Sequence, residues 1–162
     1  MLIEQIRNIM DKYGKFMVAS IQDRLIKDNT NATGSAIQSV SYRATESGLE
    51  ILGNKYISAI DEGRGAGKKM PPVLNIMQWI KSRGITQMSS TKRKMRDRDL
   101  AFVIARKIAR EGTIKRFGNT GTGLLQFVIN KHLQPFADDL TEVMEQEISI
   151  IAEKVQEDVN KN

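Results

Sequence analysis

Residues 39–52 read Ser39-Val40-Ser41-Tyr42-Arg43-Ala44-Thr45-Glu46-Ser47-Gly48-Leu49-Glu50-Ile51-Leu52, and their rhythm decides the fold class. Val40, Tyr42 and Ala44 alternate with Ser39, Ser41, Arg43 and Thr45. Successive strand side chains point to opposite faces, so a period of two marks a strand with one buried face. Glu46-Ser47-Gly48 reads as a turn, after which Leu49 and Ile51 alternate with Glu50 and Leu52. Two alternating runs around a turn predict a β-hairpin over residues 37–53. A lone hairpin is marginal in water, so this one must pack on helices or pair with a strand of another subunit.

The sequence on both sides has helical rhythm. Leu2, Ile6, Ile9, Met10, Tyr13, Met17, Ile21 and Leu25 recur every three or four residues, predicting an amphipathic helix over 2–28. Gly14 inside it costs about 1 kcal/mol relative to Ala. The polar run 28–35 stops this helix. After the hairpin, residues 54–62 suggest a short helix carrying Tyr56, Ile57 and Ile60. Residues 63–72 hold three glycines and two prolines, which rules out regular structure there. Pro72 fits the opening turn of a helix over 73–84, and Gly84 fits the residue just past its end. Residues 86–98 form a strongly basic loop, and Asp97 or Asp99 is placed to cap a helix over 99–111. Ala101, Ala105 and Ala109 let that helix approach a neighbour closely.

A Gly/Thr loop follows at 118–123, then helices over 124–133 and 135–160, divided at Pro135. The last is expected to bury Phe136, Leu140, Val143, Met144, Ile148, Ile151, Val155 and Val159 and to turn an acidic face outward. There is no internal repeat and no sign of a second unit. Residues 1–162 therefore read as one α+β domain, mostly helical, with long N- and C-terminal helices packed on a small antiparallel hairpin.

Composition narrows the chemistry. The 162 residues include no Cys and a single His, His132. That excludes a disulfide framework, a thiolate nucleophile and a zinc site built on Cys. It also weighs against a His-rich metal site and a Ser-His-Asp triad. No apolar run approaches the roughly 20 residues needed to span a bilayer, and the N-terminus lacks a signal-peptide core. The expectation is a soluble, intracellular protein with no cofactor and no membrane partner. The net charge of +6 is unevenly spread. Residues 63–116 carry fifteen Lys/Arg against three acids, a local charge of +12, whereas residues 1–62 carry −1 and residues 117–162 carry −5. A basic block of this kind suits a phosphate backbone, an acidic partner surface or the chain's own acidic tail.

The motif-like segments are weaker than they look. Arg64-Gly65-Ala66-Gly67-Lys68-Lys69 resembles a phosphate loop, yet Glu62 stands where the first glycine belongs and Lys69 where the magnesium-binding hydroxyl belongs. Gly118, Gly121 and Gly123 reverse the dinucleotide fingerprint and lack a βαβ setting, so a flexible surface loop is expected. His132, near an expected helix end, reads as a capping or surface residue. Glu142 and Glu145 are one turn apart and read as a solvated face. Lys92, Arg93, Lys94, Arg96 and Arg98 can neutralise several phosphates, but nothing supplies base-specific reading.

A family resemblance runs through Tyr56–Thr113. Its signals are Tyr56-Ile57-Ser58-Ala59-Ile60-Asp61-Glu62-Gly63-Arg64, a Gly/Lys linker, Pro71-Pro72, Ile76-Met77-Gln78-Trp79-Ile80 with Gly84-Ile85, Leu100-Ala101-Phe102-Val103-Ile104-Ala105-Arg106-Lys107-Ile108, and Gly112-Thr113. In that order they resemble the neck, or tail-completion, proteins of tailed double-stranded DNA phages, the head–tail joining or connector family. The preceding long helix, Thr33-Gly34 loop and hairpin are also similar. The 86–98 insert is longer and more basic than the family pattern, and the last helix is generic.

The resemblance implies a non-enzymatic virion protein that assembles as a homo-oligomeric ring between the portal-bearing head and the tail. It implies portal or adaptor proteins and tail proteins as partners, with packaged DNA passing through the ring. The protein would then reside in the virion neck, and in the host cytoplasm during assembly. No catalytic, cofactor or metal residues carry over. Two groups are candidate contacts: Lys92, Arg93, Lys94, Arg96 and Arg98 for the DNA channel or a protein partner, and Gly63, Arg64, Gly65, Gly67, Lys68 and Lys69 as an assembly loop that reshapes on docking. The alternatives are a sequence-neutral nucleic-acid-binding protein using residues 86–116 and, within the same class, a tail terminator ring.

Overall fold

The computed structural model describes residues 2–28, 34–45, 48–85, 95–113 and 121–161. In chain order the elements are α1 (Leu2–Lys27), α2 (Ser35–Ser39), β1 (Ser41–Thr45), β2 (Gly48–Leu52), α3 (Tyr56–Asp61), α4 (Val73–Ser82), α5 (Asp97–Glu111) and α6 (Leu124–Asn160). The expected α+β class is the observed one: two long helices and a small antiparallel sheet.

The hairpin pairs Tyr42 with Ile51 and Ala44 with Leu49 on one face, and Arg43 with Glu50 on the other. Arg43 reaches Glu50 across the strands, with its Nε at 2.9 Å. The strands are shorter than expected, because residues 35–39 form a helical turn. The apolar face lies on α1, which supplies the support a hairpin of this size needs. Gly14 explains its own presence in that helix. A Cβ at this position would lie 2.3 Å from Cδ2 of the Tyr42 ring, so only a glycine lets the strand come this close.

The main core joins Ile21 and Leu25 of α1, Ala36 and Val40, Ile57 and Ile60 of α3, and Leu124 and Val128 of α6. Helices α1 and α6 run antiparallel. Lys12 meets Asp139, Tyr13 meets Phe136, and Ser20 meets His132, so rising numbers along α1 face falling numbers along α6. Helices α4 and α5 pair with each other around Ile80, Ala101 and Ala105, and the two alanines are fully buried as their small size allows. Helix α4 ends as expected at Gly84 (φ +58°): Gly84 N–H bonds the Lys81 carbonyl and Ile85 N–H bonds the Ile80 carbonyl.

Three expectations are corrected. The helices over 124–133 and 135–160 are one 37-residue helix with Pro135 inside it. Proline removes one helical hydrogen bond. Here Val128, His132, Phe136 and Asp139 hold the helix on α1 on both sides of the exposed Pro135. Second, α5 begins at Asp97 rather than residue 99, which puts Arg98 in its first turn. Arg96 is the cap residue, and its guanidinium pairs with Asp99 at 3.0 Å. Third, the last helix does not bury its whole apolar stripe. Phe136, Leu140 and Val143 are half-buried, whereas Met144, Ile148, Ile151, Val155 and Val159 are exposed.

Candidate functional site

The described members of the two groups of candidate contact residues sit at opposite ends of α5. Gly63, Arg64, Gly65, Gly67, Lys68 and Lys69 lie against its C-terminus. Gly67 N–H bonds the Ala109 carbonyl at 2.8 Å. The Arg64 and Thr113 backbones and the Thr113 hydroxyl are tied together, with N···O distances of 2.9 and 3.1 Å. Gly112, at φ +76°, permits this approach: a Cβ there would lie 2.2 Å from the Arg64 carbonyl oxygen. The Arg64 side chain turns back to the Lys69 carbonyl, while its Nε is buried without a partner. The loop is therefore anchored at both ends and braced by its own arginine. Lys68 and Lys69 stay exposed beside an open hollow of about 420 Å³ that also borders Glu62 and Ser58.

At the other end of α5 stand Arg96 and Arg98, both exposed. The hydrogen bond and charge of Asp99 hold the Arg96 guanidinium more firmly protonated. Lys92, Arg93 and Lys94 lie outside the described residues. A helix rises about 1.5 Å per residue, so the length of α5 keeps Arg96 and Arg98 roughly 20 Å from the 63–69 loop. They do not converge on one site. Arg106, Lys107 and Arg110, also exposed on α5, extend the positive surface between them.

An apolar groove opens on the outer side of the α4–α5 pair. Val73, Met95, Arg98, Asp99, Phe102 and Val103 line its roughly 290 Å³. Phe102 and Val103 are each about half exposed, at 47% and 50%. Phe102 and Arg106 are four residues apart, so the apolar floor runs into a basic side chain one turn on.

Several residues with a definite role were not singled out in the sequence. Asp61 caps α6 from 64 residues away: its Oδ1 accepts the Leu125 N–H at 2.8 Å. In return Thr122 N–H bonds the Ile60 carbonyl and Gly123 N–H bonds the Asp61 carbonyl. Gly121 is buried at φ +69°, where a Cβ would meet the Asp61 carbonyl oxygen at 2.0 Å. Residues 121–123 are thus a fixed joint and not part of the flexible surface loop expected over 118–123, whose residues 118–120 lie outside the described residues. The cause is reciprocal capping between two helix ends, which no local pattern announces.

His132 is likewise neither at a helix end nor on the surface. It is buried at the middle of the α1–α6 seam, stacked near Phe16, with Nε2 2.8 Å from Ser20 Oγ. Lys131 Nζ approaches the same hydroxyl at 3.4 Å. Burial, and secondarily the Lys131 charge, lower the His132 pKa. A hydroxyl that accepts from Lys131 is free to donate to neutral Nε2, which fits a histidine kept uncharged. The Ser–His contact is part of the helix seam, and among the described residues no carboxylate is seen hydrogen-bonded to the ring to complete a triad. Near it Lys12 and Tyr13 both donate to Asp139, at 2.7 and 3.1 Å, and these bonds hold the Asp139 carboxyl below its ordinary range. Glu142 and Glu145 are exposed, as expected. Among the described residues no cluster of three or more His, Asp or Glu is placed to hold a metal ion.

Comparison with protein-family models, curated proteins and solved structures finds no match. Among the described residues, no helix is long and apolar enough to cross a membrane.

Proposed function

We propose that this chain is a structural virion protein of a tailed double-stranded DNA phage, a neck or connector ring that joins the portal-bearing head to the tail and completes the DNA channel. The observation that carries the reading is the second half of α6. Five large apolar residues (Met144, Ile148, Ile151, Val155 and Val159) stand exposed on a helix that its own chain covers only in part. Exposed apolar stripes of this extent belong to proteins that act as assemblies. The ordered signals of Tyr56–Thr113 supply the family. The basic middle of the chain supplies a surface suited to lining a channel that carries DNA, where each positive charge is multiplied by the number of subunits. On this reading the protein is not an enzyme and needs no cofactor. It works in the virion, after assembly in the host cytoplasm, with portal or adaptor proteins and tail proteins as neighbours. A tail terminator ring is the variant within the class.

Electron microscopy of the particle neck tests the position directly, with density for a ring of this chain as the expected outcome. Replacing Lys92, Arg93, Lys94 and Arg96 by Ser should leave rings intact and change DNA retention in particles. Unchanged retention removes the channel role of these residues.

One observation favours a second reading. Arg98, Arg106, Lys107 and Arg110 form an exposed basic series on α5, suited to sequence-neutral phosphate contact by residues 86–116. A salt-dependent shift of duplex DNA by the isolated chain would select it.

A further inference from the structure

We infer that the C-terminal half of α6 is the donor, and the α4–α5 groove the acceptor, of a head-to-tail contact between copies of this chain. The inference builds on the proposed ring by naming the contact that closes it. Two unsatisfied surfaces on the same molecule carry it. The donor stripe of Met144, Ile148, Ile151, Val155 and Val159 repeats at intervals of four, three, four and four residues, the spacing of a helix face that lies in a groove. Each of these side chains is more than half exposed. Around them, residues 138–158 carry eight carboxylates and a single lysine, Lys154.

The acceptor has the opposite character. Its floor is apolar, through Val73, Met95, Phe102 and Val103. Arg98 lines it too, beside Asp99, whose carboxylate is already paired with Arg96, and the exposed Arg106 follows along α5, then Arg110, which pairs with Glu111. An acidic apolar helix and a basic apolar groove are complementary in both respects, and one chain supplies both. Within the chain the two do not serve each other: α6 packs chiefly on α1, while α4 and α5 pack mainly on one another. A second copy of the chain is therefore the occupant that fits. Such a contact joins different patches on the two partners, so it propagates until a rotation closes it into a ring. Pairing of α6 with α6 would bring carboxylates against carboxylates and leave the groove open.

The test uses the full chain in two variants, each with one half of the contact removed. The donor variant is Ile151→Asp with Val155→Asp. The acceptor variant is Arg98→Glu with Val103→Asp. All four residues are exposed, so both variants should keep the wild-type helical circular dichroism. Light scattering after gel filtration at high micromolar concentration should give a wild-type mass above that of a dimer. It should give monomers for each variant alone. A mixture of the two should give twice the monomer mass and no more, because one intact donor meets one intact acceptor and the chain then stops.

A monomeric wild type overturns the inference, as does an acceptor variant that keeps the wild-type mass, which would indicate α6–α6 pairing. A mixture that stays monomeric overturns it as well. The inference and the functional reading fail separately. A neck ring in particles combined with a failed mixing experiment removes this contact alone. Successful mixing with no such protein at the neck removes the function alone.

Discussion

The two halves of α6 carry the same kind of pattern and meet opposite fates. In the first half Leu124, Val128 and His132 are buried against α1 and its neighbours, and Leu124 is 1% exposed. In the second half the spacing is equally helical, yet Ile151 is 54% exposed. Periodicity says that one face of a helix is apolar. It does not say which molecule covers that face. The first half has α1, Asp61 and the Thr122–Gly123 backbone to fix it. The second half extends past the cover that its own chain provides.

The comparison breaks most sharply on truncation of matched aliphatic side chains. Leu124→Ala should cost about 3 kcal/mol, through lost burial and an unfilled cavity. Ile151→Ala should change monomer stability by less than about 0.5 kcal/mol, as for an exposed site. Urea unfolding at concentrations too low for association checks both. Equal losses would mean that the second half is covered within the monomer, and the contrast between the halves would fall.

A smaller effect tests the other side of α1. Gly14→Ala removes an unfavourable helix glycine worth about 1 kcal/mol. The new Cβ nevertheless meets the Tyr42 ring at 2.3 Å, so a net loss of about 1–3 kcal/mol from overpacking is expected. In a Tyr42→Ala background the same change should become neutral or stabilising, which a double-mutant cycle would read out. Smaller again, Asp61→Ala should cost about 1 kcal/mol by uncapping α6. Faster amide exchange at Leu125 should accompany it, with no change in the second half of the helix.

How much of this was legible in the sequence follows from the range of each cause. The hairpin and its alternation were legible because alternation is local, and so was the end of α4, where Gly84 makes the left-handed turn. The close packing of Ala101 and Ala105 was legible because small residues at helical spacing have few other uses. Gly14 was read as a cost, since its reason is a ring 28 residues away. The break placed at Pro135 came from a local rule that tertiary packing overrides: the α1 seam runs past the proline on both sides. Asp61 and Ser20 were not singled out because their partners are 64 and 112 residues distant, and Asp139 reads as part of a solvated acidic face because its partner Lys12 is 127 residues away. The candidate contact residues were picked out by charge and glycine content, which register composition and not position. The structure consequently sets those it describes at opposite ends of one helix.

The least of the expected effects is a pH dependence that belongs to the first half of α6. His132 is buried, and its pKa lies below the ordinary 6.5 in the folded chain. The unfolded chain therefore takes up the proton more readily, and protonation favours unfolding. The contribution of the neutral ring is complete above about pH 6.5 and declines as the pH falls through that value toward the lower folded one. Replacement of His132 by Gln should flatten the stability profile in this window, measured by urea unfolding at a series of pH values. The Asp139 carboxyl, also lowered, acts with the same sign but in a separate range, because its contribution is complete above its ordinary 3.8 and lost only as the pH falls further. Asp139→Asn should therefore leave the slope near pH 6 in place. A slope near pH 6 that survives His132→Gln would show that the buried ring is not its source, and the seam between α1 and α6 would then have to be kept neutral by other groups.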